Sequence, residues 1–394
     1  MRTLSLRERK RTDLDLTDAE IAVLRERFGC TVERVAGRYR VTPGDKVGSW
    51  TGGGLHVVVR PKLAIARVLT MLDYTARGGP AGDELSGLAE HDLTSGVAAL
   101  YARLCHRATR RGVLSGYREA TDTLHTVRGR VDFAAQVRRA APGLPLAVDY
   151  QEFDTDVPEN RLLVAGLEVL RAAPVHVPEV RRDLHGLRLR LADVPPAAEL
   201  SPIRWTRLNE HYRPAVELAR LLVAHRSVDL RHGGTAAPAF VLDMGKVFED
   251  FVRCAVRVSL GVAPEDFPDG EDGPQQTLDQ AGKVVLKPDL GLVGGGGREF
   301  VGEVKYKRDT GAGKADDRYQ LLAYAVATGL PEATLVYAWG PQDVVEHRVR
   351  GLDVTLHLRH LDLSVPEAEL FARIDALAEH VRGCRRRAGA RSRA

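Results

Sequence analysis

Residues 287–309 read KPDLGLVGGGGREFVGEVKYKRD: two short apolar runs of strand length on either side of four glycines. The pattern predicts a β-hairpin, with Gly294 to Gly297 at its turn. The glycine run lacks the GxxxxGK[ST] sequence and no helix follows it directly, so it is not read as a phosphate cradle. The hairpin carries charge where a sheet would bury apolar side chains: Asp289 on the first strand, Glu303 and Lys305 on the second. Residues i and i+2 of a strand share a face, so Glu303 and Lys305 point the same way and Val304 points into the opposite layer. Simple closure, with Val293 opposite Arg298, sets Asp289 against Gly302 and on the wrong face. If the two carboxylates are to meet, the register differs or a bulge intervenes.

Two carboxylates brought together repel and raise a pKa unless a cation sits between them. Oxygen-only ligands favour Mg²⁺ or Mn²⁺, and Mg²⁺ binds through one or two carboxylates together with substrate phosphate. An ammonium at Lys305 can orient or help deprotonate the attacking water and offset charge on a pentacovalent phosphate. The chemistry expected of such a trio is phosphodiester hydrolysis.

The surrounding chain divides by pattern into an α+β/α/β multidomain protein. Residues 1–115 read as a small α+β module, with strands in YRVTPGDKVGSW and GGGLHVVVRPKL and helices in IARVLTMLDYTA and SGVAALYARLCHRATRRG. Residues 116–234 read as mainly helical: DVPENRLLVAGLEVLRAA starts with Asp156 as candidate N-cap and Glu159 three residues on. The Pro-flanked stretch from Arg171 to Leu200 reads as connector. Residues 235–383 open with a helix capped by Asp243, striped by Val247, Phe248, Phe251, Val252 and Ala255, and ended by Gly261. The hairpin, a helix around ADDRYQLLAYAVATG, a strand EATLVYAW, two further strands and a last helix capped by Ser364 with Glu367 follow. Residues 384–394 read as a flexible basic tail.

KPD at 287–289 followed by EVK at 303–305 matches the PD-(D/E)XK nuclease signature. Glu249 resembles the helical acidic residue of those enzymes, and Gln320 with Tyr324, one turn apart, resembles the QxxxY motif of their RecB-like branch. Over most of the chain, VVVRPKL with LTMLDYTA, then VRGRVDF, EFDTDVPENRLL, HYRPAVELARLL and GKVFEDFV resemble successive landmarks of the McrC family, nuclease subunits of McrBC-type and LlaJI-like modification-dependent restriction systems. The resemblance implies a C-terminal PD-(D/E)XK fold, a mixed sheet flanked by helices. It implies Mg²⁺ held by Asp289, Glu303, the Val304 carbonyl and Glu249, with Lys305, Gln320 and Tyr324 completing the catalytic set. The implied substrate is double-stranded DNA in antiviral defence. The implied partner is an McrB-like AAA+ GTPase hexamer, docked on residues 1–115. A RecB-like repair nuclease and an inert adaptor that regulates a motor ATPase stand as alternatives; the intact trio speaks against inertness.

Charge and cysteine usage narrow the remaining classes. The net charge is only +4, so nucleic-acid binding depends on where cations lie rather than on the total. Arg128 and Arg130 are read as solvated charge that a DNA enzyme can turn toward phosphates. Cys30, Cys105, Cys254 and Cys384 form no CxxC pair and are expected as buried thiols. No run of about 20 apolar residues suits a bilayer and no signal peptide is evident, so a cytoplasmic protein without membrane contact is expected. His357 and His360 are read as surface residues, and DGEDG at 269–273 as a turn.

Overall fold

The computed structural model describes residues 1–80, 85, 87–139, 143–197, 202–224, 239–268, 270, 273–295, 297–310, 313–341 and 344–391. The chain forms two compact units, one made of residues 1–93 with 241–394 and the other of 94–240. The stretch expected as a separate N-terminal module therefore shares a compact unit with the hairpin segment. The boundaries fall at 93 and 240 rather than at 115 and 234.

In the first part of that unit, β1 (Arg2–Arg7) pairs parallel with β6 (Leu55–Arg60), itself antiparallel to β5 (Lys46–Gly52). A second sheet sets β4 (Arg38–Thr42) between β2 (Thr12–Leu14) and β3 (Thr31–Val35). The helix α1 (Asp18–Phe28) begins with a capping box of Thr17 and Glu20. The next, α2 (Ile65–Arg77), has Ala64 at its N-cap, no side-chain cap and no acidic residue in its first turn.

The second unit is less helical than its sequence suggests. Its helices are α3 (Leu93–Ala108), a short α4 (Phe133–Arg138), α5 (Pro158–Arg171), α6 (Pro178–Arg190) and α7 (Arg213–Ala224). Between them β7 (Gly116–Leu124), β8 (Arg130–Val131) and β9 (Leu146–Asp154) form a three-stranded sheet in the order β7-β9-β8. The Tyr101 hydroxyl donates to the Leu163 carbonyl at 2.8 Å. A Cβ at Gly166 would stand 2.5 Å from that hydroxyl oxygen, so only glycine lets α3 and α5 approach this closely. Two expectations are corrected here. The supposed connector contains α6, which starts with Pro at its first position and buries Val180, Leu184 and Leu187 at helical spacing. The N-cap of α5 is Val157 without a side-chain bond, because Asp156 is engaged by Arg161 at 2.5 Å.

Back in the first unit, β10 (Ala239–Asp243) leads into α8 (Met244–Leu260). Asp243 caps α8 by accepting from the Gly245 and Lys246 amides, its expected apolar stripe is buried, and Gly261 closes it in the left-handed region. A short pair, β11 (Gln276–Thr277) and β12 (Val285–Leu286), precedes the main sheet. That sheet contains β13 (Leu290–Gly294) and β14 (Gly297–Arg308), then, after α9 (Ala315–Thr328), β15 (Glu332–Trp339), β16 (Val345–Arg348) and β17 (Thr355–His360). The order is β13-β14-β15-β17-β16, parallel at the centre and antiparallel at both edges. Val301, Leu335, Tyr337, Leu356 and Leu358 form one apolar layer with Leu321, Tyr324 and Ala325 of α9. The alternate residue Tyr306 of β14 meets Phe248 of α8, with ring centroids 5.8 Å apart.

The last helix, α10 (Glu367–Arg391), corrects two further readings. Ser364 hydrogen-bonds to Asp362 instead of capping the helix. The stretch expected as a flexible tail is helical as far as Arg391, anchored by Arg385 on Glu299 at 2.6 Å and Arg387 on Glu332 at 2.8 Å. Residues 392–394 lie outside the described residues.

Candidate active site

The hairpin is irregular at one place, and that irregularity assembles the site. Gly294 pairs with Gly297 and Val293 with Arg298, as simple closure requires, but beyond them Leu292 faces Phe300, Gly291 faces Val301 and Leu290 faces Gly302. Glu299 is skipped. This β-bulge shifts the ladder by one residue, which carries Asp289 from opposite Gly302 to opposite Glu303. Residues directly opposite in an antiparallel pair share a face, so the two carboxylates project together. The Val304 amide donates to Asp289 Oδ2 at 2.8 Å, and the Asp289 amide approaches Glu303 Oε2 at 3.5 Å.

Around this pair the other expected residues take different places. Lys305, two positions on from Glu303, turns its Nζ onto Glu303 Oε1. Glu303 is 2% exposed, so this ammonium is set against a nearly dry carboxylate. From α9, Gln320 Nε2 donates to the Tyr324 hydroxyl at 2.8 Å, and that hydroxyl donates to the Lys287 carbonyl at 3.2 Å. The QxxxY pair thus braces the chain two residues before Asp289. Glu249 on α8 feels the charge of Asp289, but its carboxylate is held by Lys246 at 2.6 Å. Val304 buries its side chain in the opposite layer.

The electrostatics match the geometry. Burial, then the charge of Glu303, pushes the Asp289 carboxyl up to about 7. Burial raises Glu303 as well, against the pull of Lys305. Burial disfavours the Lys305 ammonium, yet Glu303 and Asp289 outweigh it and hold its pKa above the ordinary value. Two inward carboxylates that resist ionisation, with a third close enough to be raised by the first, form an oxygen-only donor set short of positive charge. These residues fit a hard divalent cation.

Several participants escaped the sequence reading. Lys246, one turn before Glu249, pairs with it and also lowers the Asp289 pKa. Lys307 binds Asp317 at 2.7 Å, and Asp317 accepts from the Tyr337 hydroxyl at 2.8 Å. The signal for Lys307 was the continued alternation in EVKYK. His357 and His360 are buried, not at the surface: His357 is 4% exposed, and His360 Nε2 lies 3.0 Å from Asp309 Oδ2. Ligand atoms of His357, His380 and Cys384 lie within 4.8 Å of one another, but Arg359 stands 2.8 Å from His380 Nδ1 and Arg387 stands 3.6 Å from the Cys384 sulfur. A cluster flanked by two guanidinium groups disfavours a cation. Arg128 is paired with Glu152 at 3.3 Å and lies over the Tyr150 ring. The DGEDG turn falls largely outside the described residues.

A family model described as McrBC 5-methylcytosine restriction system component matches residues 43–338, about three quarters of the chain. The chain belongs to the McrBC family. Among solved structures, this McrBC-family chain is similar to a refined half-complex from a tetradecameric assembly of Thermococcus gammatolerans McrB AAA+ hexamers with bound McrC. The match has 16% identity, covers 95% of this chain and 99% of that one, and has a TM-score of 0.50, a likeness of fold. A cryo-EM structure of the Thermococcus gammatolerans McrBC complex matches at 21% identity over 67% of this chain and 89% of that one, with a TM-score of 0.42. Comparison with curated proteins gives no match. Among the described residues no helix is long and apolar enough to cross a membrane.

Proposed function

We propose that this McrBC-family chain is the nuclease subunit of a modification-dependent restriction system, a Mg²⁺-dependent endodeoxyribonuclease of PD-(D/E)XK type that cuts double-stranded DNA when assembled with an AAA+ GTPase. The observation that carries the reading is the bulge at Glu299, which sets Asp289 opposite Glu303 with Lys305 on the same face. Asp289 and Glu303, with Glu249 and the Val304 carbonyl, would hold the cation. When bound, the cation supplies Lewis-acid polarisation of a phosphoryl oxygen and favours deprotonation of water. Lys305 Nζ offers positive charge and a proton beside Glu303, where charge on a phosphate develops. Gln320 and Tyr324 hold the Lys287 carbonyl and with it the approach to Asp289. The bound McrC of the structural neighbour supports the partner class.

The test is plasmid cleavage with Mg²⁺, on methylated and unmethylated DNA, with and without a cognate AAA+ GTPase and GTP. Cleavage that needs the metal, the partner and the nucleotide is the expected result. Robust nucleotide-independent cleavage by the chain alone would favour a free-standing repair nuclease instead.

A further inference from the structure

A cleft of about 800 Å³ opens within the unit made of residues 1–93 and 241–394, lined by Lys307 and Arg308, which follow Lys305 along β14. Its lining draws cations from separate stretches of chain: Arg9, Lys62 and Arg67 from the first part of the unit, and Lys307, Arg308 and Lys314 from β14 and the approach to α9. Glu367 is the one carboxylate among the lining residues. Some of these charges are committed, as Arg9 is to Asp45 and Lys62 is to Glu8 at 3.0 Å. Arg308 and Lys314 are exposed and form no ion pair among the described residues. Lys62 lies over the Tyr306 and Trp339 rings, 3.8 and 4.4 Å from their centroids, so the cleft wall is stiff. Arg67 sits in the first turn of α2, where the helix dipole disfavours a cation. Its guanidinium donates to the Val365 carbonyl and feels the charge of Glu367, which hold it at the cleft wall. Lys307 connects the cleft to the site: it is bound to Asp317, whose charge Lys305 also feels.

We propose that this cleft seats backbone phosphates of the DNA next to the phosphate being cut, so that Arg67, Arg308 and Lys314 are substrate-binding residues. The proposal rests on the nuclease reading. It makes the first ninety residues part of the DNA path in addition to any docking role.

The test uses the full chain carrying Asp289→Asn, so that binding is measured without cleavage, and a fluorescent duplex titrated at several salt concentrations. Arg308→Ala/Lys314→Ala is expected to weaken binding about tenfold and to lower the salt slope by about 2, following roughly 0.9 per phosphate contact. Arg67→Ala is expected to lower it by about 1 more. Arg182→Ala, an exposed cation of α6 far along the chain, is the control and should leave both unchanged. Unaltered affinity and slope in the double variant would overturn the proposal, as would tight GTP binding that the same variants abolish while duplex binding stays intact. These outcomes are independent of cleavage. Loss of the nuclease reading is instead registered by the wild-type chain failing to cut DNA with Mg²⁺, the AAA+ GTPase and GTP all present.

Discussion

At the scale of single residues, the site is built to be uncomfortable when empty. Asp289 and Glu303 are held for charge rather than packing, so Asp289→Ala or Lys305→Ala should lower cleavage at least a hundredfold and leave the fold intact, as read by activity beside circular dichroism. The pH dependence has a definite sign. The folded-state pKa of Asp289 stands near 7 against an ordinary 3.8, so across that interval the folded form keeps a proton that the unfolded chain has released. Stability is therefore lost as pH rises through the window. In EDTA, the melting temperature of the wild type should fall relative to Asp289→Asn by a few degrees between pH 4 and pH 7.5, and Mg²⁺ should close the gap. A parallel pH course for the two proteins would count against the buried pair. Tyr324→Phe removes the bond to the Lys287 carbonyl and should cost about fivefold in cleavage rate with little loss of stability, a difference that single-turnover kinetics can resolve.

At the scale of elements, the bulge is the decisive piece. Glu299 is skipped by the ladder, and its carboxylate makes one half-exposed ion pair with Arg385. Deleting Glu299 should preserve the pairing of Asp289 with Glu303 and spare most activity. Inserting one glycine between Val301 and Gly302 should turn Glu303 to the other face and abolish cleavage. Equal effects from the two changes would refute the register argument. The sequence could pose this problem but not solve it: alternation and the glycines marked a hairpin, and arithmetic demanded an irregularity, yet nothing local distinguished a bulge from another register. Asp243, the stripe from Val247 to Ala255 and Gly261 were legible because capping and periodicity are local chemistry. The strand pair Gly116–Leu124 with Leu146–Asp154 was not, since its long-range pairing leaves exposed, charge-rich strands with a weak apolar pattern. His357 and His360 were misplaced for a related reason: whether a strand histidine is buried depends on what covers it, and the strand's own pattern does not say that His357 meets His380 of α10 or that His360 meets Asp309.

At the scale of the whole molecule, residues 1–93 do not read as a detachable module. The Tyr306 hydroxyl reaches Glu8, Tyr74 of α2 stacks on Phe371 with centroids 5.1 Å apart, and Tyr74 also meets Phe251 edge-on at 5.6 Å. Removing residues 1–93 would bare these apolar faces of α8 and α10. The truncated chain should be insoluble or molten, with lost near-ultraviolet dichroism, whereas a folded, metal-binding fragment would contradict this packing. The same unit is interrupted in sequence by the whole of residues 94–240. During translation, then, the opening segment must wait on the ribosome while a complete second unit emerges and folds ahead of it. Asp289 and Glu303 are synthesised late, and β15 and β17, which complete the sheet behind them, come later still. A nascent chain broken off anywhere short of β15 lacks the strand against which β14 is laid, so interrupted synthesis releases fragments in which Asp289 and Glu303 have no sheet to hold them together.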